Sequence, residues 1–213
     1  MLMQAPMTSR EIFPRDAVDE AIALRLAAIG WCVVEDYFLL DDVTALRTEA
    51  LEQWQTGCFR LATVGKDRKA RELVRNDQIL CLEPPYSGVQ ELILARMEAL
   101  RQAINRTLYM GLHDFECHYT RYAPGAYYQK HLDRFRADTR RAVSCILYLN
   151  ADWQPSDGGM LRLYLETDGG ETVHDVVPQA GTLACFLSDR IWHEVLPTRR
   201  ERLSLTGWFR TCA

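Results

Sequence analysis

His131 and Asp133 stand on either side of Leu132 in YYQKHLDRF, residues 127–135. Side chains at i and i+2 of a strand point to the same face. An imidazole and a carboxylate so placed can share a metal ion while Leu132 turns to a core. Two donors are too few for a stable site, so a third is required. The chain offers five histidines, at 113, 118, 131, 174 and 193. His193, in SDRIWHEVLP, opens a late strand that can reach the same end of a barrel. Two imidazoles and one carboxylate with positions left open suit non-haem Fe(II). His118 shares a strand face with Thr120 and Tyr122 and could line a pocket. His113 and His174 show no partner pattern.

A second pattern follows in RERLSLTGWF (200–209), where Arg202, Ser204, Thr206 and Trp208 share one strand face. If that face looks into a barrel, the buried guanidinium needs an anionic partner. Its planar fork matches a carboxylate in a bidentate way. A dicarboxylic acid would satisfy both groups, with one end on the metal and the other on Arg202.

The elements that must position these residues are legible in outline. DAVDEAIALRLAAIG carries apolar residues at helical spacing and ends on Gly30, a C′ glycine. WCVVEDYF (31–38) predicts a strand. Residues 40–57 predict a second helix with Asp41 or Asp42 as its cap. Residues 58–85 predict a hairpin whose charged tip, VGKDRKARELVRND, has little apolar anchorage. Residues 89–111 predict a long amphipathic helix. From Asp114 onward short strand-like runs alternate with Gly, Pro, Asp and Asn: FECHYTRYA, AYYQKHLD, RAVSCILYLN, GMLRLYLE, ETVHDVVP, GTLACFLS, WHEVLPT and RLSLTGWFR. Helices first and strands later predict an α+β fold, a double-stranded β-helix (jelly roll) with N-terminal helices packed on one sheet. No repeat breaks the chain, so residues 1–213 are expected as a single domain. Residues 1–113 would give helical support and the 58–85 hairpin, and residues 114–210 the jelly-roll core.

Bulk properties exclude other classes. A net charge of -4 and a pI of about 5.8 give no reason to expect nucleic acid or an anionic membrane surface as partner. No apolar run approaches the roughly 18 residues of a membrane span. The first residues lack the basic start and apolar block of a secretory signal. Seven cysteines, with no CxxC pair, point to a reduced, cytoplasmic chain whose thiols act as small apolar side chains. A monomer is expected.

The segments YAPGAYYQKHLDRF, RAVSCILYLNADW, GGMLRLY, SDRIWHEVLP and RLSLTGWF together resemble the 2-oxoglutarate- and Fe(II)-dependent dioxygenases. The similarity is greatest to the prolyl-hydroxylase branch, which includes the hypoxia-inducible-factor prolyl hydroxylases and their bacterial relatives. The resemblance implies His131, Asp133 and His193 as catalytic iron ligands. It implies Arg202, Tyr148 and Tyr122 as the cosubstrate site. It implies Arg141, Trp208, Tyr128, Arg75 and Asp77 as substrate contacts, with the 58–85 hairpin closing over the substrate; Asp77 and Arg141, of opposite charge, are expected to pair as it closes. Fe(II), 2-oxoglutarate and O2 follow as cofactor and cosubstrates, with ascorbate as a candidate reductant and succinate and CO2 as products. Cys81 departs from the animal enzymes, which carry tryptophan there. A protein with a target proline is the implied partner, and elongation factor Tu is the target associated with bacterial relatives. The long hairpin favours a protein over the alternative of a free amino acid or other small molecule. A non-catalytic 2-oxoglutarate- or oxygen-sensing module would be expected to lack a ligand or the arginine, and this chain has both. Asp133 argues against a halogenase, and Arg202 against a zinc hydrolase.

Overall fold

The protein is described here by a computed structural model of residues 7–8, 15–62, 74–134 and 139–212. Helix α1 (Arg15–Ile29) buries Asp19, Ile22, Ala23 and Leu26, the three-and-four spacing of one helical face. Gly30 stops it with φ 84°, a left-handed position that glycine adopts without strain. Strand β2 (Trp31–Glu35) follows β1 (Met7–Thr8) and is shorter than the predicted 31–38. Helix α2 (Leu40–Gln55) starts from Leu39, which makes no side-chain cap. Asp41 and Asp42 therefore correct the expected cap: they lie inside the first turn, where their charge meets the positive end of the helix dipole. Helix α3 (Gly88–Leu108) opens with a capping box between Ser87 and Gln90 and ends on Tyr109 in the left-handed region.

Polar clamps fix these helices. Buried Asp19 accepts the Tyr37 hydroxyl at 2.7 Å and both terminal nitrogens of Arg96 at 2.5 Å, tying α1 to α3. Glu49 of α2 accepts from Ser87 and Gln90 at the start of α3, and from the Tyr119 hydroxyl at 2.8 Å. None of the described helices is long and apolar enough to cross a membrane.

The remaining strands are β3 (Arg60–Leu61), β4 (Gln78–Cys81), β5 (Leu112–Tyr122), β6 (Tyr128–His131), β7 (Arg141–Tyr148), β8 (Leu161–Thr167), β9 (Gly170–Val176), β10 (Leu183–Leu187), β11 (Trp192–Val195) and β12 (Arg202–Thr211). They form an eight-stranded sheet, β1-β2-β10-β7-β12-β5-β4-β3, and a four-stranded sheet, β6-β11-β8-β9. Pairing is antiparallel except for β1 with β2. All eight strands expected after Asp114 are present, and the architecture is the expected α+β jelly roll.

Side-chain alternation divides the interior into two cores. Val143, Cys145 and Leu147 of β7, with Leu203, Leu205 and Phe209 of β12, join the core beneath the helices. Ile146 and Tyr148 point the other way, to a second core with Phe186 and with Leu161, Leu163 and Val195 of the small sheet. By the same period of two, Ser144, Arg202 and Ser204 face the space between the sheets, and all three are buried there. The cysteines are all free; Cys32, Cys117, Cys145 and Cys185 are buried, in keeping with small apolar roles.

β3 and β4 make the predicted hairpin, with Arg60 opposite Ile79. Of its expected mobile tip, residues 64–77, residues 64–73 lie outside the described residues. The returning limb contacts both sheets. Gln129 donates its N–H to the Val74 carbonyl at 2.9 Å, and Tyr127 N–H donates to the Asn76 side chain at 2.8 Å. Four residues later β4 pairs with β5 of the large sheet.

Candidate active site

His131 closes β6, and His193 of β11 lies directly opposite it in register. The strand ends there: Asp133 stands in a bend, not in the strand from which its orientation was expected. It reaches the histidines all the same. Asp133 Oδ1 lies 3.5 Å from His131 Nε2, and Oδ2 lies 3.6 Å from His193 Nε2. The three residues are buried, and their donor atoms all lie within 4.8 Å of one another. Among the described residues no other group of His, Cys, Asp and Glu comes together in this way.

The ring orientations have local causes. His131 Nδ1 is 2.7 Å from the Gln129 carbonyl, and His193 Nδ1 is 3.1 Å from the Ile191 carbonyl. A carbonyl only accepts, so each Nδ1 carries the proton and each Nε2 presents a lone pair to the cluster. Tyr128 stacks on His131 with centroids 3.6 Å apart, and Phe186 lies 4.6 Å from His193. Burial lowers the His193 pKa to about 4, helped by neighbouring His131 and opposed by Asp133. Burial pushes the Asp133 carboxyl up, yet His193, His131 and the Ser144 hydrogen bond together hold it well below the usual carboxylate range. A carboxylate beside two imidazoles is a donor set that fits Fe(II).

Arg202 sits deeper between the sheets and is buried. Its Nε donates to the Gly159 carbonyl at 2.8 Å. Gly159 has φ 65°, and a Cβ there would lie 3.0 Å from Thr198 and 3.1 Å from the Arg202 stem, so a side chain would displace the arginine. The guanidinium is flanked by the rings of Tyr122 at 4.9 Å and Tyr148 at 5.2 Å. Among the described residues no carboxylate pairs with it. The Tyr148 hydroxyl is buried and has no hydrogen-bond partner among the described residues. Burial raises its pKa to about 12, against the lowering effect of Arg202. Burial also raises the Tyr122 phenol, so both rings stay neutral donors. A buried cation beside an unused hydroxyl donor fits the carboxylate end of an anionic ligand.

The expected substrate contacts divide into two groups. Arg75 binds Asp77 through two hydrogen bonds of 2.7 and 2.5 Å and lies over the Tyr128 ring at 4.3 Å. Arg141 stacks on Trp208 at 3.5 Å and bonds Glu116 at 2.8 Å. The expected Asp77–Arg141 pair is not made. Asp77 is satisfied by a guanidinium two residues away, and Arg141 by a carboxylate on β5, beside β12. Between the groups lies His118, 5.3 Å from the Trp208 ring, its pKa lowered to about 3 by burial and by Arg75 and Arg141. The Nε of Arg141 and the Nε1 of Trp208 are buried without partners among the described residues.

Sequence reasoning missed Ser144 and Ser188, which hold the carboxylate. Ser144 donates its hydroxyl to Asp133 Oδ2 at 2.7 Å, and Ser188 Oγ lies 2.9 Å from Ser144 Oγ. Their signal was present: each is a polar residue inside an apolar run, RAVSCILYLN and TLACFLSD.

Comparison with known proteins agrees with this geometry. Residues 117–210 match the 2OG-Fe(II) oxygenase superfamily. A Pseudomonas putida prolyl-4-hydroxylase of known crystal structure is 47% identical, superimposes with a TM-score of 0.83, and is covered over 100% of its chain by 92% of this one. Human Egl nine homolog 1 is 30% identical over 191 residues, 84% of this chain and 43% of that protein. The hypoxia-inducible factor prolyl hydroxylase of Caenorhabditis elegans is 28% identical over 206 residues, 90% of this chain. The chain spans only 28% and 43% of the lengths of these last two relatives. With its two histidines and aspartate gathered at one end of the jelly roll, the chain belongs to the 2OG-Fe(II) oxygenase superfamily, in the branch of the prolyl hydroxylases.

Proposed function

We propose that the protein hydroxylates a prolyl residue of a protein substrate, with Fe(II) as metal and 2-oxoglutarate and O2 as cosubstrates. The observation that carries this reading is the buried His131–Asp133–His193 cluster, set beside a buried arginine and a tyrosine hydroxyl that, among the described residues, have no carboxylate and no hydrogen-bond partner respectively. Fe(II) with 2-oxoglutarate and O2 supplies an oxidant strong enough to hydroxylate an unactivated C–H bond, leaving succinate and CO2.

The chain's own part is binding, orientation and exclusion of water. His131 and His193 offer Nε2 lone pairs because their Nδ1 protons are committed to backbone carbonyls. Asp133 stays ionised and supplies the third donor. Arg202 spends Nε on Gly159, which leaves its two terminal nitrogens for the far carboxylate of 2-oxoglutarate, and the Tyr148 hydroxyl adds a third donor. The rings of Tyr122 and Tyr148 hold the guanidinium plane between them. Phe186, Ile146 and Leu163 keep the surrounding space apolar, which strengthens each of these polar contacts.

A protein substrate is supported by the rim. Arg141 with Trp208, and Arg75 with Asp77 and Tyr128, give two planar cation–aromatic surfaces on either side of His118. The unpaired N–H groups of Arg141 and Trp208 suit peptide carbonyls. The Caenorhabditis elegans relative is named for hydroxylation of a protein. Elongation factor Tu is the candidate target.

The test incubates the protein with Fe(II), 2-oxoglutarate and ascorbate as reductant, offering elongation factor Tu, a prolyl peptide or free proline. Mass spectrometry should find one added oxygen on a proline of the protein or peptide. Oxidation of free proline alone would overturn the protein-substrate reading. His193→Ala should abolish turnover, and unchanged succinate production by that variant would overturn the metal assignment.

A further inference from the structure

Asp133 stands where the fold gives it least support. β6 ends at His131, so no ladder hydrogen bonds fix the carboxylate's backbone as they fix His193 in β11. A carboxylate on a bend can rotate about its side-chain bonds and offer a metal one oxygen or both. Which it offers decides how many positions stay open for other ligands.

Two hydroxyls converge on it. Ser144 lies mid-strand in β7 on the face toward the site, and Ser188 lies just past the end of β10; both are completely buried. Ser144 Oγ is 2.7 Å from Asp133 Oδ2, and Ser188 Oγ is 2.9 Å from Ser144 Oγ. The direction of these bonds is determined by counting protons. An ionised carboxylate only accepts, so the single Ser144 proton goes to Oδ2. The Ser144 oxygen then accepts from Ser188. Each bond polarises the next, which strengthens the bond that reaches the carboxylate. Ser188 is itself held at both ends of its backbone. Its N–H donates to the Ala142 carbonyl at 3.0 Å, and its carbonyl accepts the N–H of Arg134, the residue after Asp133, at 3.0 Å.

We infer that Ser188 and Ser144 form a directed hydroxyl chain that holds Asp133 Oδ2 and so fixes the orientation in which the carboxylate meets the metal. The inference rests on the metal reading of the site given above. Ser144 and Ser188 are thus positioning residues. They would hold the carboxylate in one rotamer beside His131 and His193, so that a metal ion meets it in a fixed orientation. Plain packing would need small side chains at these positions but not hydroxyls, and a buried hydroxyl is costly unless it is bonded.

The test is Co(II) binding to the full chain without 2-oxoglutarate, read by calorimetry and by the visible absorption of the bound ion. Asp133→Ala serves as the control for specific binding. Ser144→Ala should bind Co(II) about tenfold more weakly, the usual scale for loss of a partner behind a metal ligand. It should also change the Co(II) spectrum, since coordination changes. Ser144→Thr keeps the hydroxyl and should restore both affinity and spectrum. Ser188→Ala should shift both in the same direction by less. A merely structural serine would lower the melting temperature of the metal-free chain and leave the spectrum of bound Co(II) unmoved. Parental affinity and spectrum in Ser144→Ala would overturn the inference; if that variant does not fold, parental values in Ser188→Ala would overturn it. A parent chain without Asp133-dependent Co(II) binding would overturn the metal reading, and this inference with it.

Discussion

Replacing Arg202 should separate recognition of the 2-oxoglutarate chain end from binding at the metal. Arg202 is buried, its Nε is committed to the Gly159 carbonyl, and two terminal nitrogens remain for a carboxylate. Each charge-assisted hydrogen bond contributes about 1.5–3 kcal/mol. Two at the low end come to about 3 kcal/mol, or roughly a hundredfold in affinity at about 1.4 kcal/mol per tenfold. Arg202→Ala should therefore weaken 2-oxoglutarate binding about a hundredfold. Arg202→Lys keeps the charge but loses the fork and the Gly159 anchor, and should fall between, about tenfold weaker. The assay is calorimetric titration with Mn(II) in place of Fe(II), so that no oxidation intervenes. 2-Oxopentanoate, which lacks the distal carboxylate, is the control ligand. The parent should prefer 2-oxoglutarate strongly, and Arg202→Ala should bind the two alike. If Arg202→Ala bound 2-oxoglutarate within about threefold of the parent, the carboxylate would lie elsewhere. Equal losses for both ligands would instead mean that the pocket had collapsed, and would refute the argument from hydrogen-bond count.

Three further outcomes follow from individual contacts. Tyr148→Phe removes a buried hydroxyl that has no hydrogen-bond partner among the described residues; urea unfolding should show unchanged or higher stability, while 2-oxoglutarate affinity drops by about 0.5–1.5 kcal/mol. Asp19→Ala strands the Arg96 guanidinium and the Tyr37 hydroxyl; it should cost about 3–5 kcal/mol in urea unfolding and leave Co(II) affinity at the parental value. Folding lowers the His118 pKa to about 3 from an ordinary value near 6.5. The unfolded chain therefore holds a proton that the folded chain does not between those limits, and metal-free stability falls as pH drops through that window. His118 alone contributes at most about 1.4 kcal/mol per pH unit there and nothing above it. His193 acts in the same direction, so His118→Met should flatten the slope without abolishing it; an identical slope would contradict the assignment.

Much of this was readable from residue order, and the reasons for the exceptions are local. The late strands declared themselves because each alternates in polarity and is closed by turn residues. Arg202 declared itself because a charged residue on the inward face of an apolar strand needs a partner. The i, i+2 argument for His131 and Asp133 gave the right pair for a partly wrong reason. β6 ends at His131, two residues short of Asp133, and tertiary contacts rather than strand geometry aim Asp133. Leu39 in place of Asp41 or Asp42 as the cap of α2 is a slip of two or three residues at a boundary. Asp77 chose Arg75 over Arg141 because the nearer guanidinium needs no loop to close. Ser144 and Ser188 could not be joined in advance: only the pairing of β7 with β10 brings them together. Nor could the sequence put β2 beside β10, since a strand pair that spans most of the chain leaves no local trace.

β12 is the final strand of the described chain, yet it lies in the interior of the large sheet, between β7 and β5. Until it arrives, β5 and β7 have no neighbour on the side they will share, and each exposes a row of unpaired backbone groups. Arg202 belongs to β12, and His193 to β11 just before it. During synthesis from the N-terminus, the helices and early strands therefore wait for the segment that both closes the sheet and delivers the cation and the third metal donor. Pairings of such long sequence separation form slowly, because loop entropy is lost before any contact compensates. The half-built sheet is consequently the species most exposed to association with other chains, and the one a chaperone would recognise. Completion of the barrel and completion of the site are the same folding event.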